Sequence, residues 1–168
     1  MSKLGFTTGT EVTLADYDKT PTAHSFHDPT LLEKAERLSA VKYANVLYYT
    51  DKGILFLKRN NNDDFEPSKY GLPGGKIEVG ETYRDAALRE LHEETGILVS
   101  DNVYKGATID CCCYYIYHSA DDNPEIILDE SEHENYIYMT IDDIRNCPSE
   151  DFVMDLKSRL CQMLNIEM

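Results

Sequence analysis

The stretch GKIEVGETYRDAALRELHEETGI, residues 75–97, decides the fold class of this chain of 168 residues. At about 100° per residue, Glu90, Glu93 and Glu94 fall on one side of a helix. Glu90 and Glu94 are like charges at i and i+4, which destabilise a bare helix by roughly 0.2–0.5 kcal/mol. Arg89 can pair with Glu93, but one guanidinium does not neutralise three carboxylates. The cluster therefore predicts a bound cation, and Mg²⁺ prefers such oxygen ligands and shares its shell with phosphates.

The flanks of this stretch indicate where the helix begins and ends. Thr82 is expected to cap its N terminus, with Asp85 three residues later at the spacing of a capping box. Gly96 suits the position just past the last turn, where a left-handed residue ends many helices. The acidic residues are thus predicted to lie on one helix bounded by two loops.

The same stretch resembles the signature of the Nudix hydrolase family, Gly-x5-Glu-x7-Arg-Glu-apolar-x-Glu-Glu-x-Gly-apolar. The chain carries the required residue at every fixed position: Gly75, Glu81, Arg89, Glu90, Leu91, Glu93, Glu94, Gly96 and Ile97. A looser resemblance extends over about residues 40–145. The resemblance implies an α/β Nudix fold, in which a mixed β-sheet is sandwiched between α-helices.

The resemblance also implies which residues hold a metal. The implied set consists of the backbone carbonyl of Gly74, the supporting Glu81, and the ligands Glu90, Glu93 and Glu94. Arg89 would orient the carboxylates. Glycine at Gly74 and Gly75 would let the backbone approach the ion closely and adopt a positive φ. The implied cofactor is Mg²⁺, with Mn²⁺ as a substitute.

The general base is left open between residues inside and outside the motif. Glu132, which lies just before the strand sequence NYIYM, is the first candidate, and Glu134 is the second. Glu93 could itself serve as base. The implied reaction is cleavage of a P–O–P bond in a nucleoside diphosphate linked to another group.

Segments beyond the motif bear on the substrate, and a nucleoside triphosphate or related nucleotide is favoured. The alternatives are a dinucleoside polyphosphate, ADP-ribose or a nucleotide sugar, and a non-catalytic nucleotide-sensing module. A proline at residues 111–115 is associated with ADP-ribose pyrophosphatases, and this segment has none. A tyrosine about 17 or 18 positions past the end of the motif is associated with dinucleoside polyphosphate hydrolases, and Tyr114 and Tyr115 match this position. Sensing relatives typically lose motif glutamates or Arg89, which this chain keeps.

Composition indicates the partners and the compartment. A net charge of −15 argues against sequence-independent nucleic-acid binding. The five cysteines, three of them adjacent at 111–113, form no disulfide framework, which favours a cytoplasmic location. The N terminus lacks the apolar core of a signal peptide, and no apolar run is long enough for a membrane span. The expected partner is a nucleotide-type small molecule, and a homodimer is left open.

The rest of the chain predicts an N-terminal extension at residues 1–27 and a single Nudix hydrolase domain at residues 28–168. A helix is predicted to start at Asp28, which precedes a proline. Strands are predicted at about 40–50, 53–59, 103–109, 111–118 and 135–140. A last amphipathic helix is predicted at about 149–164.

Overall fold

The structure is a computed structural model that describes residues 40–167. Its elements are β1 (Tyr43–Thr50), β2 (Gly53–Arg59), β3 (Tyr70–Gly71), β4 (Gly74–Lys76), α1 (Tyr83–Thr95), β5 (Tyr104–Ile109), β6 (Cys112–His118), β7 (His133–Met139), α2 (Ile141–Asn146), a 3₁₀ turn (Ser149–Asp151) and α3 (Leu156–Leu164). The predicted extension at residues 1–27 and the helix predicted from Asp28 lie outside the described residues.

The strands form one mixed sheet in which β3, β2, β1, β6 and β5 lie side by side. β4 also pairs with β1, and β7 also pairs with β2. β1 and β6 run parallel, whereas the other pairs are antiparallel. Parallel neighbours need a long crossover connection, and α1 lies in the connection between β1 and β6.

Helices cover both faces of the sheet because alternate residues of each strand point to opposite sides. One core joins the sheet to α1 and includes Ala44, Val46, Tyr48, Leu55, Leu57, Ala86, Ala87 and Leu91. The other joins the sheet to α2 and α3 and includes Leu47, Ile54, Phe56, Ile144, Phe152, Leu160 and Leu164. The predicted α/β architecture, a mixed sheet sandwiched between helices, is confirmed.

The ends of α1 follow the local signals in the sequence. The side chain of Thr82 accepts a hydrogen bond from the backbone N–H of Asp85 at 3.1 Å. Gly96 has a left-handed φ of 76°, and its N–H donates to the carbonyl of His92 at 2.8 Å. Both predicted boundaries of the motif helix are therefore correct.

The C-terminal region differs from the prediction, because α3 begins at Leu156 and not near residue 149. The N–H of Val153 donates to the carbonyl of Tyr70 at 2.9 Å, and Met154 has a positive φ of 44°. A segment that is bonded to β3 and turned through a positive φ does not continue an α-helix.

The sequence analysis also missed α2, a short helix that follows β7. The side chain of Thr140 caps it by accepting from the N–H of Asp143, and the backbone N–H of Thr140 donates in return to the side chain of Asp143. The Thr-x-x-Asp spacing was the available signal for this helix.

The adjacent cysteines do not converge. Cys112 packs in the core on the side of α3, whereas Cys113 packs in the core on the side of α1. Neither forms a disulfide within residues 40–167. Within residues 40–167, no helix has the length and apolar character required to cross a membrane.

Candidate functional site

Arg89 lies at the centre of the acidic residues of α1 and the loop before it. Its Nε and Nη2 donate to the two carboxylate oxygens of Glu81 at 2.6 and 3.0 Å. Its Nη1 donates to Glu90 and to Glu93, both at 3.1 Å, and its Nη2 also donates to the carbonyl of Lys76 at 3.0 Å. The hydrogen bonds from Arg89 lower the pKa of Glu81. One arginine thus orders three carboxylates and a loop carbonyl.

Glu94 is the buried member of the cluster and is only 5% exposed. Its Oε1 accepts a hydrogen bond from the N–H of Gly74 at 2.8 Å, and its Oε2 lies 3.9 Å from Nε2 of His133. Burial raises the pKa of Glu94 to about 9, opposed by the Gly74 bond and assisted by the charges of Glu90 and Glu132. Burial lowers the pKa of His133 to about 4, so this imidazole gives Glu94 no positive charge at neutral pH.

Glu90 is half-buried against Gly75. A Cβ at Gly75 would lie 2.0 Å from Oε2 of Glu90, so only glycine leaves room for the carboxylate. Burial raises the pKa of Glu90 to about 7; Arg89 opposes this shift and Glu93 adds to it. The backbone of Gly75 thus lies close to the carboxylate of Glu90, a site residue, as a glycine at this position allows. The positive φ predicted for Gly74 and Gly75 is wrong, because neither residue is among those with positive φ.

Glu132 and Glu134, the candidate bases outside the motif, have different surroundings. Glu134 forms an ion pair with Lys58 at 3.5 Å and accepts a hydrogen bond from the N–H of Asn61 at 2.8 Å. The charge of Glu132 instead contributes to the raised pKa of Glu94. The structure therefore brings Glu132 towards the motif carboxylates and directs Glu134 to the loop after β2.

The donor set fits a hard divalent cation by its chemistry, because carboxylate oxygens are the ligands that Mg²⁺ and Mn²⁺ prefer. Among residues 40–167, however, no three His, Cys, Asp or Glu side chains are already arranged to hold one ion. Arg89 holds one oxygen of Glu90 and of Glu93, and Gly74 holds one oxygen of Glu94. The side chain of Glu93 is 54% exposed and has room to turn. Because the pKa values of Glu90 and Glu94 are raised, a cation that binds them has to displace protons, so its affinity is expected to increase with pH.

A cavity of about 370 Å³ opens beside the carboxylates, and Gly74, Gly75 and Glu94 line it. Its other walls are largely apolar and aromatic and include Phe65, Leu72, Tyr114, Val153 and Leu156. The volume falls within the range of about 300–1,000 Å³ for small-molecule pockets. The carboxylate cluster and the cavity therefore form one continuous site.

Arg159 of α3 lines the same cavity, and the sequence analysis did not select it. It is only 7% exposed. Its Nη1 donates to the hydroxyl of Tyr114 at 3.1 Å and approaches Sγ of Cys112 at 3.3 Å. The available signal was its place between Leu156 and Leu160, on the apolar side of an amphipathic helix.

Residues 40–157 match the family model described as the NUDIX domain. This match covers most of the chain and includes the sheet, α1 and all residues that line the cavity except Arg159. The chain belongs to the Nudix family.

Curated relatives are similar over shorter stretches. An ADP-ribose pyrophosphatase of Methanocaldococcus jannaschii is 48% identical over 50 residues, which are 29% of this chain and 27% of the relative. An 8-oxo-dGTP diphosphatase of Escherichia coli is 49% identical over 43 residues, 26% of this chain and 33% of the relative. The similarity thus spans about a third of these relatives or less.

Solved structures share the fold at lower identity. The crystal structure of a MutT protein from Methanosarcina mazei Go1 matches with a TM-score of 0.58 at 20% identity. The match covers 73% of this chain and 91% of that one. At this identity the likeness concerns the fold alone.

Proposed function

We propose that this protein is a Mg²⁺-dependent diphosphohydrolase that cleaves a P–O–P bond in a nucleoside triphosphate or a related nucleotide. The supporting observation is that Glu94 belongs both to the carboxylate cluster of α1 and to the wall of the cavity. A nucleotide whose base occupies the cavity would have its phosphates at the cluster. Mn²⁺ is expected to substitute for Mg²⁺.

The residues that would hold the metal are Glu90, Glu93 and Glu94, with the carbonyl of Gly74 and with Glu81 in support. When bound there, the metal neutralises phosphate charge, activates water and stabilises the leaving oxygen. Arg89 orients the carboxylates through its bonds to Glu81, Glu90 and Glu93.

The proposed general base is Glu132, with Glu93 as the alternative. Burial and the neighbouring Asp129 raise the pKa of Glu132. A carboxylate with a raised pKa is a better proton acceptor near neutral pH, because general bases work best when their pKa lies near the working pH. Glu132 would take the proton of the attacking water.

The size of the cavity favours a mononucleotide. A volume of about 370 Å³ lies near the lower end of the range for small-ligand pockets. ADP-ribose and dinucleoside polyphosphates each carry a second large group, which would lie outside this cavity. The relatives described above are named for ADP-ribose and for 8-oxo-dGTP, so both belong among the substrates to be tested.

The test is a hydrolysis assay of purified protein with Mg²⁺ or Mn²⁺ on canonical and oxidised nucleoside triphosphates, dinucleoside polyphosphates, ADP-ribose and nucleotide sugars. Glu93→Gln and Glu132→Gln are each expected to lower kcat by at least about 100-fold. Only Glu93→Gln is expected to weaken Mg²⁺ binding as well. Glu150→Gln removes an exposed carboxylate of the 3₁₀ turn and serves as the matched control.

Three outcomes are informative. Turnover of triphosphates that depends on Glu93 but not on Glu150 supports the proposal. Turnover that survives Glu93→Gln contradicts the assignment of the site. Nucleotide binding without turnover of any compound contradicts the hydrolase and leaves the nucleotide-sensing module in its place.

A further inference from the structure

The cavity extends across three neighbouring strands. Gly74 of β4 lies opposite Asn45 of β1, and Asn45 lies opposite Tyr114 of β6. Since adjacent strands are about 4.8 Å apart, the backbone of Tyr114 lies roughly 10 Å from that of Gly74. Glu94 bonds to Gly74 and Arg159 bonds to Tyr114. The cavity therefore has an acidic end at β4 and a cationic end at β6.

The guanidinium of Arg159 has more donors than the protein uses. Its Nη1 contacts Tyr114 and Cys112. Its Nη2 lies 3.5 Å from Oδ2 of Asp110, a carboxylate whose side chain is 71% exposed. Within residues 40–167, its Nε is buried and has no hydrogen-bond partner. Buried donors are normally satisfied. Because Nε is enclosed, the donors available to a ligand in the cavity are those of Nη2, whose contact to the exposed Asp110 is long.

The chemistry of a nucleotide determines which of its groups would reach Arg159. The inference rests on the proposed function, which puts the phosphates at the acidic end beside Glu94. The base is separated from the phosphates by the ribose, and it would therefore lie toward β6, roughly 10 Å across the sheet. Leu72 and Phe65 also line the cavity, and Phe65 is 57% exposed. An exposed aromatic ring at the cavity offers a face on which a base can stack.

We propose that Arg159 recognises the 6-oxopurine edge of the base and makes this site selective for guanine-type over adenine nucleotides. Arginine pairs with the adjacent O6 and N7 acceptors of guanine through two parallel hydrogen bonds. Adenine carries an amino donor in place of O6, so the donors of Arg159 would meet a donor. Tyr114 acts as a positioning residue, because its hydroxyl accepts from Nη1 and holds the guanidinium plane.

Inosine and adenosine provide a direct test, because inosine carries the 6-oxo group and lacks both phosphate and the 2-amino group. Binding is measured calorimetrically with the full chain in the presence of a chelator, so that neither metal nor catalysis contributes. Wild-type protein is expected to bind inosine about 5- to 150-fold more tightly than adenosine. The same preference is expected in kcat/KM for inosine over adenosine triphosphate with Mg²⁺.

Two substitutions of Arg159 test whether its guanidinium causes the preference for inosine. Arg159→Lys keeps the charge but loses the planar fork, and Arg159→Met removes both. Each is expected to bring the inosine-to-adenosine ratio close to one. Tyr114→Phe removes only the hydroxyl and is expected to reduce the ratio by a smaller factor. If Arg159→Met does not fold, Arg159→Lys and Tyr114→Phe still decide the question, with melting temperature as the check on folding.

Equal affinity for the two nucleosides, equal kcat/KM for the two triphosphates, or a preference that survives Arg159→Lys would each overturn the inference. The proposed hydrolase fails separately, through the absence of metal-dependent turnover of either triphosphate. A preference for inosine that depends on Arg159, in a protein without turnover, would support this recognition site and contradict the hydrolase.

Discussion

Replacing Gly75 by alanine separates the function of the carboxylate cluster from the stability of the fold. A Cβ at Gly75 would lie 2.0 Å from Oε2 of Glu90, whereas real Cβ contacts essentially never fall under 3.0 Å. The carboxylate must therefore move by at least 3.0 − 2.0, or about 1 Å. What moves is the free end of a flexible side chain, and the backbone stays in place.

The size of this shift sets the expected effect of Gly75→Ala. A displacement of about 1 Å at an active site can lower the rate about 100-fold. We expect kcat to fall by about that factor and Mg²⁺ affinity to fall about 10- to 100-fold. The free energy of unfolding should change by less than about 1 kcal/mol, because the new methyl group meets no backbone atom among its nearest neighbours.

Gly74→Ala is the matched control, since its Cβ would lie 2.6 Å from the carbonyl oxygen of Ala44 and 2.7 Å from Cα of Asn45. This clash involves the backbone of β1, so we expect a destabilisation of about 1–3 kcal/mol. Urea unfolding gives the stabilities, calorimetric titration gives Mg²⁺ affinity, and the hydrolysis assay gives kcat. If Gly75→Ala keeps wild-type kcat and Mg²⁺ affinity, the position of Glu90 does not matter and the reasoning is refuted.

Two further predictions concern pH and the start of α1. The pKa of Glu94 is raised from 4.5 to about 9 and that of Glu90 to about 7, whereas the pKa of the neighbouring His133 is lowered from 6.5 to about 4. Between about pH 6.5 and 9, where His133 no longer offsets them, the two carboxyl groups bind more protons in the metal-free folded protein than in the unfolded chain. Its free energy of unfolding should therefore fall as the pH rises through this window, and Glu94→Gln should flatten the dependence in chelator-treated samples; a stability that rises with pH would contradict this. Thr82→Ala removes the cap that accepts from Asp85 and should lower the free energy of unfolding by about 0.5–2 kcal/mol in urea, without changing KM. A changed KM at unchanged stability would show that Thr82 acts on the substrate and not on the helix.

The features that sequence could predict are those fixed by neighbouring residues. Thr82 and Gly96 mark the ends of α1 because a cap and a left-handed glycine act within one helical turn. The strands that cross the centre of the sheet follow from alternating or continuous apolar residues. The start of α3 could not be predicted in this way, because Val153 is bonded to Tyr70, more than eighty residues earlier in the chain.

The choice between Glu132 and Glu134 also depended on tertiary structure. The two residues are only two positions apart and have the same chemistry. The register between β2 and β7 shifts where Lys58 lies opposite Asn135 and Arg59 lies opposite His133, so Glu134 is left without an opposing residue. Its carboxylate then pairs with Lys58. A shift of strand register is not visible in a single sequence, because it depends on the partner strand.

Arg89 and Arg159 differ in how many of their guanidinium nitrogens donate hydrogen bonds to the protein. Every nitrogen of the Arg89 guanidinium donates to a carboxylate of the protein, and Nη2 also reaches a carbonyl. Arg89 therefore has few donors left for a phosphate, and under the proposed function the charge of a bound diphosphate would be met by a cation on the same carboxylates. Arg159 donates from Nη1 to Tyr114 and Cys112, but its Nη2 makes only a long contact to the exposed Asp110, and its Nε has no partner among residues 40–167. We therefore expect the arginine of the motif to organise the proposed metal ligands, and the arginine outside the motif to donate to the substrate.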